Sequence, residues 1–140
     1  MTRVVFLCPY NTVRSQIAAA LFNRAADGRA VGEPGGTDPK EHADERTLQV
    51  LREVGIAPPE RKRSRVTREE LERADRVIGL DCPLDPELAA AVAGKFENWP
   101  MPDTTNQPVE AVREVRDLIQ TRVEGLIAEL IPELRVAERT

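Results

Sequence analysis

The sequence is poor in cysteine, with two in 140 residues, Cys8 and Cys82. Such a pair does not make a secreted disulfide scaffold, and the first residues lack the charged, apolar and small-residue pattern of a signal peptide. Long hydrophobic runs are missing as well. No stretch approaches the roughly 20 apolar residues of a transmembrane helix, so a cytoplasmic protein with no membrane partner is expected. A basic excess is also lacking: 24 acidic residues outweigh 20 basic ones, a formal net charge of −4, which argues against nucleic acid as the main partner. The stretch Arg61-Lys62-Arg63-Ser64-Arg65 reads as a solvated loop rather than a binding patch. The only histidine, His42, falls in a polar loop or helix start and reads as structural. The length suits one domain, residues 1–140, with an ordinary core.

What is present begins at residue 4. The run Val4-Val5-Phe6-Leu7 stops at Cys8, and Pro9-Tyr10-Asn11-Thr12-Val13 then lead to Arg14-Ser15. If the run is a strand and Ser15 opens a helix, the loop amides curl toward one point and the helix N-terminus adds partial positive charge. Residues 9–14 then form a cradle for a tetrahedral oxyanion. The same field favours a thiolate at Cys8, the nucleophilic form of the side chain. Arg14 can offer two parallel N–H donors to two oxygens of the anion, a geometry lysine cannot reproduce. Ser15 is placed either to hydrogen-bond the sulfur or to cap the helix. Asn11 suits a left-handed turn inside the loop. The chemistry this pattern points to is attack by sulfur on phosphate or a phosphate-like anion.

The rest of the chain alternates strand-like and helix-like segments. Helical spacing marks Ser15 to Ala26, about Ala43 to Val54 with Gly55 closing it, and a long amphipathic stretch from Val109. Thr67-Arg68-Glu69-Glu70 is a capping box opening a short helix to Ala74, and Asp85 to Ala93 reads as another. Strands are expected near Arg29 to Val31, Arg76 to Leu80 and Lys95 to Trp99, with Gly32 to Pro39 as a turn-dense loop. Such alternation implies an α/β fold, a parallel sheet with helices on both faces. Open sheets of this kind bind ligands at the carboxyl ends of their strands. Cys8, Cys82 and Asp103 all follow expected strands and so share that rim. In Trp99-Pro100-Met101-Pro102-Asp103 the prolines stiffen the approach, placing a carboxyl group where it can supply a proton to a leaving oxygen; the competing role is an ordinary turn aspartate.

The Cys8 to Ser15 segment with Gln16-Ile17-Ala18 resembles the low-molecular-weight protein tyrosine phosphatase superfamily, and within it the thiol-dependent arsenate reductases. The likeness extends through Gly32-Glu33-Pro34, Leu51 to Ile56 and Ala74 to Ile78, and Asp103 falls where the family keeps its mobile acidic loop. It implies a four-stranded parallel sheet with flanking helices. It also implies a catalytic set of Cys8, Arg14, Ser15, Asp103 and Cys82, with Pro9, Tyr10, Asn11, Thr12, Val13 and Arg14 around the anion and no metal. Two departures bear on activity. Tyr10 replaces the small or imidazole residue common before the loop asparagine, and Thr104-Thr105 stand where phosphotyrosine-specific members place proline and an aromatic.

The resemblance leaves two enzymes in view, with a common first step. In a phosphatase, Cys8 attacks phosphorus, Asp103 protonates the leaving alcohol and water hydrolyses the thiophosphate. In an arsenate reductase, a second thiol attacks the Cys8 sulfur, expels arsenite and leaves a disulfide. Cys82 is the internal candidate for that thiol. The external candidates are thioredoxin and mycothiol with mycoredoxin, acting as reductants rather than as bound cofactors. Arsenate reduction is the leading expectation and phosphoester hydrolysis the alternative. A non-catalytic anion-binding domain with Tyr10 across the loop is a third class.

Overall fold

The computed structural model describes residues 1–40, 44–57 and 65–134. Strand β1 (Thr2–Cys8) leads into α1 (Arg14–Ala26), followed by β2 (Ala30–Gly36), α2 (Glu45–Glu53), α3 (Arg68–Arg73), β3 (Arg76–Gly79), α4 (Pro86–Ala91), β4 (Phe96–Asn98) and α5 (Val109–Leu130). The strands form one parallel sheet in the order β2-β1-β3-β4. Parallel neighbours need crossover connections, and the helices supply them on both faces, as the alternation implied.

Side-chain alternation along β1 divides the interior. Val4, Phe6 and Cys8 face a core made with α1, α2 and α5, whereas Val5 and Leu7 face a smaller one under α3 and α4. Trp99 and Phe22 pack on Phe6 with ring centroids 6.0 and 5.6 Å away. These separations suit tilted aromatic pairs, and they fix the floor beneath the end of β1.

One element departs from the sequence expectation. Gly32 to Gly36, read as loop, continues β2 in register with Val4 to Cys8. Pro34 fits because β2 is an edge strand, where one N–H is dispensable. Gly32 fits because a Cβ there would stand 2.9 Å from the Phe22 ring, so the glycine is what lets α1 settle on the sheet. Elsewhere the boundaries move by a residue or two. Helix α2, expected from about Ala43, begins at Glu45 with Asp44 capping it by accepting from the Arg46 amide at 2.9 Å, and the Thr67–Glu70 capping box opens α3. Residues 41–43 and 58–64, which include His42 and most of the basic stretch, lie outside the described residues.

A charged cluster joins α2 to α5. Arg113 grips Glu53 with two bonds of 2.9 and 2.7 Å, and the largely buried Arg116 adds 2.7 Å to Glu53 and 2.9 Å to the Val50 carbonyl. The Arg113 bonds, reinforced by Arg116, hold the Glu53 carboxyl at about 2. An unfolded glutamate titrates near 4.3. The depressed folded value therefore adds stability above about pH 4.3 and loses it as pH falls toward 2. Glu53→Gln should lower Tm at pH 7 by about 2–4 °C and flatten the acid side of the stability curve, as checked by thermal melts from pH 7 to 2.

Candidate active site

The loop after β1 is held by its carbonyl groups. Pro9 O accepts from the Asp38 amide at 2.7 Å and Tyr10 O from the Lys40 amide at 3.0 Å. Asn11 O accepts from Gln16 Nε2 at 3.2 Å, Thr12 O from Thr47 Oγ1 at 2.8 Å, and Val13 O from the Ile17 amide at 3.0 Å. In a planar trans peptide the following N–H points the opposite way. Successive N–H groups from Tyr10 to Arg14 are thus turned to the concave side, and the next, Ser15 N–H, donates to Cys8 Sγ at 3.3 Å. The sequence expectation of an amide cradle has here its structural cause: every carbonyl is occupied on the outside.

Two backbone devices close the curl. Asn11 takes the left-handed conformation, φ 54°, which asparagine tolerates better than most residues. Gly36 at the end of β2 lets the loop approach, since a Cβ there would sit 2.8 Å from the Asn11 Cβ and 3.0 Å from Pro9 O. Beneath them the buried Ser15 hydroxyl lies 3.0 Å from Cys8 Sγ and 2.6 Å from Asn11 Oδ1, which also accepts from Gln16 Nε2 at 3.1 Å. With a neutral thiol, Ser15 donates to Asn11. With a thiolate, the hydroxyl can turn to the sulfur while Gln16 continues to satisfy Asn11. Ser15 therefore serves the sulfur, not the helix end: the α1 N-cap position is Val13, which has no side-chain cap bond.

A cavity of about 210 Å³ opens above Cys8. Its lining includes Cys8, Tyr10, Thr12, Val13, Arg14, Asp103 and Thr104 to Asn106, together with Asp44 and Arg46 from the start of α2. The N-terminus of α1 points its partial positive charge into this space. Tyr10 stands at the rim, 42 % exposed, with Lys40 Nζ 4.7 Å from its ring centroid. The cavity is open, so the third reading, with Tyr10 across the loop, does not describe this arrangement.

Asp103 accepts from Thr105 N at 3.0 Å and Thr105 Oγ1 at 2.8 Å. These bonds, with the Arg14 charge, hold its carboxyl below the usual carboxylate range. A carboxyl lowered in this way is ionised at neutral pH, so Asp103 is not by itself a ready acid there.

Cys82 lies elsewhere. It is 3 % exposed among Leu71, Val77 and Val92, in the smaller core, while Cys8 belongs to the larger one. Thr37 Oγ1 lies 3.8 Å from its sulfur. Burial pushes its thiol up, the Thr37 hydroxyl opposes this, and the charges of Cys8 and Arg14, both within electrostatic reach, push it up and down respectively. Both cysteines are free thiols. The structure thus gathers Cys8, Arg14 and Asp103 around one space, with Ser15 buried beneath the sulfur, and Cys82 lines a different cavity.

Asp44, Arg46 and Thr47 were not among the expected site residues. Asp44 could have been found as a helix-capping aspartate; nothing in the local pattern marks the reach of Arg46 or Thr47 to distant loops.

Residues 3–136 match the low molecular weight phosphotyrosine protein phosphatase family, and the chain belongs to it. Among its relatives, a Halobacterium salinarum protein with the provisional name arsenate reductase is 33 % identical over 140 residues, covering 94 % of this chain and 95 % of that one. The glutaredoxin arsenate reductase of Synechocystis is 30 % identical over 93 % of this chain and 99 % of its own length. A solved arsenate reductase in a phosphate-binding state superposes with a TM-score of 0.81 at 28 % identity, covering 93 % of this chain and 99 % of that one.

Proposed function

We propose that this protein reduces arsenate to arsenite. The observation that carries the reading is the cradle: loop carbonyls bonded outward, amides turned inward, and Cys8 Sγ at the bottom of a small polar cavity. The names of the relatives favour arsenate over a phosphoester as the anion. The absence of an aromatic at Thr104-Thr105 agrees, since Tyr10 is the one ring lining the cavity among the described residues.

Arsenate enters with its oxygens on the loop amides and the Arg14 guanidinium. The Cys8 thiolate forms an S–As bond and one arsenate oxygen leaves as water, after receiving a proton that Asp103 has taken from the bound anion. A second thiolate then attacks the Cys8 sulfur. The S–S bond forms, the S–As bond breaks, and its electron pair stays on arsenic, which falls from As(V) to As(III) and departs as arsenite. Two thiols have become one disulfide, which an external thiol system reduces.

For that second step the geometry favours an external thiol. Cys82 does not line the cavity over Cys8 but a separate one beside α4, with its thiol pushed up, and a protonated thiol is a poor nucleophile. Cys82→Ser should therefore keep arsenite production within about twofold when a low-molecular-weight thiol is the reductant; a stall at the Cys8–arsenate adduct with no arsenite released would assign the resolving role to Cys82. The test of the function itself supplies arsenate with glutaredoxin and glutathione, thioredoxin, or mycothiol with mycoredoxin, and para-nitrophenyl phosphate in parallel. Arsenite with at least one reductant is expected. Phosphoester turnover with no arsenite from any of them would transfer the protein to the phosphatase reading, for which the placement of Asp103 at the cavity speaks.

A further inference from the structure

We propose that Arg46 is a positioning residue that clamps the segment carrying Asp103 over the cradle. The inference rests on the reading of the Cys8 cavity as the reaction site. Arg46 Nε and NH2 form a fork on the Asp44 carboxylate at 3.0 and 2.7 Å. That fork fixes the guanidinium plane. Its remaining nitrogen, NH1, donates to Thr104 O at 2.8 Å and Gln107 O at 2.5 Å. Among the described residues, these are the hydrogen bonds that join residues 103–107 to other parts of the chain; the remaining ones, from Thr105 to Asp103 and from Gln107 N to Thr104 O, stay inside the segment.

The neighbour of Arg46 has the complementary task. Thr47 Oγ1 holds Thr12 O of the cradle at 2.8 Å, and Asp44, which anchors the guanidinium, is itself the N-cap of α2. The first turn of α2 is therefore one rigid block bonded on one side to the anion loop and on the other to the Asp103 segment. Thr104 is buried and adds packing, but Asn106, at φ 59°, leaves this short segment no regular structure of its own. Its register against the cradle is set by the Arg46 clamp. A guanidinium is suited to this because it holds a carboxylate and two carbonyls at once; an ammonium cannot present that planar fork.

The test compares Arg46→Met and Arg46→Lys in the full chain, alone and with Asp103→Asn. Arg46→Met should lower kcat for arsenate reduction by about 10- to 100-fold, the scale for a reacting group displaced by about 1 Å. Arg46→Met also removes a cation from the cavity lining, so inorganic phosphate affinity should fall, but by less than kcat; Arg46→Lys, which keeps the charge, should restore the affinity and recover only part of the loss in kcat. In the Asp103→Asn background, Arg46→Met should cause no further loss, since both changes act through one group. Amide exchange at Thr105 should accelerate in Arg46→Met; this readout does not depend on arsenate chemistry, so it distinguishes failure of the clamp from failure of the proposed reaction. The proposal is overturned if kcat in a folded Arg46→Met protein equals wild type, if the loss persists undiminished beside Asp103→Asn, or if Thr105 exchange is unchanged.

Discussion

Cys8→Ser should abolish arsenate reduction, by about 10⁴-fold or more in kcat, the scale seen when a catalytic nucleophile is removed, while inorganic phosphate still binds. The two halves of this expectation have separate causes. The reaction stores its oxidation state in an S–As bond and then in an S–S bond, and a hydroxyl oxygen can form neither a disulfide nor a thiolate-like leaving centre. Anion affinity, by contrast, comes from backbone N–H groups whose direction is set by outward bonds to Pro9 O, Tyr10 O, Asn11 O and Thr12 O. None of those bonds involves the sulfur. A serine also accepts the Ser15 amide that now points at Cys8 Sγ at 3.3 Å. Isothermal titration with phosphate and an arsenite assay separate the two, and a parallel loss of binding would mean that the sulfur organises the cradle.

Arg14→Lys should lose both, by about 10²–10³-fold in kcat together with a clear fall in phosphate affinity, the scale of removing an aimed donor from a developing oxyanion. Arg14 is the first residue of α1 and lines the cavity with Cys8 and Asp103. Its planar fork can bond two anion oxygens simultaneously, whereas lysine presents a compact point charge that contacts one and remains hydrated. The charge survives the substitution, so a near-normal kcat would show that field and not geometry is what Arg14 supplies. Steady-state kinetics with phosphate as competitor decide between them.

Much of this arrangement was legible in sequence because it is local. The apolar run ending at Cys8, the spacing to Arg14 and the helical periodicity after it are contained in one strand-loop-helix unit, and the observed β1 and α1 follow it closely. The Thr67-to-Glu70 capping box is likewise a contact over three residues. Gly32 to Gly36 was hidden because Gly-Glu-Pro-Gly-Gly reads as a turn in isolation, and only pairing with Val4 to Cys8 makes it a strand. Arg46 was hidden for the same physical reason at longer range. Its partners Thr104 and Gln107 lie 58 and 61 residues away, and no periodicity records such a contact. Cys82 does follow β3 at the carboxyl end of the sheet, but its side chain packs with the smaller core and lines a cavity apart from that of Cys8, a choice of face made by tertiary packing.

The sulfur at the end of β1 is the centre of the whole scheme, and a non-reducing mass spectrum after one round of arsenate with a low-molecular-weight thiol questions it most directly. The expected product carries that thiol on Cys8, with Cys82 unmodified and arsenite released in equal amount. Arsenite formed while Cys8 remains a free, unmodified thiol throughout the reaction would contradict the account.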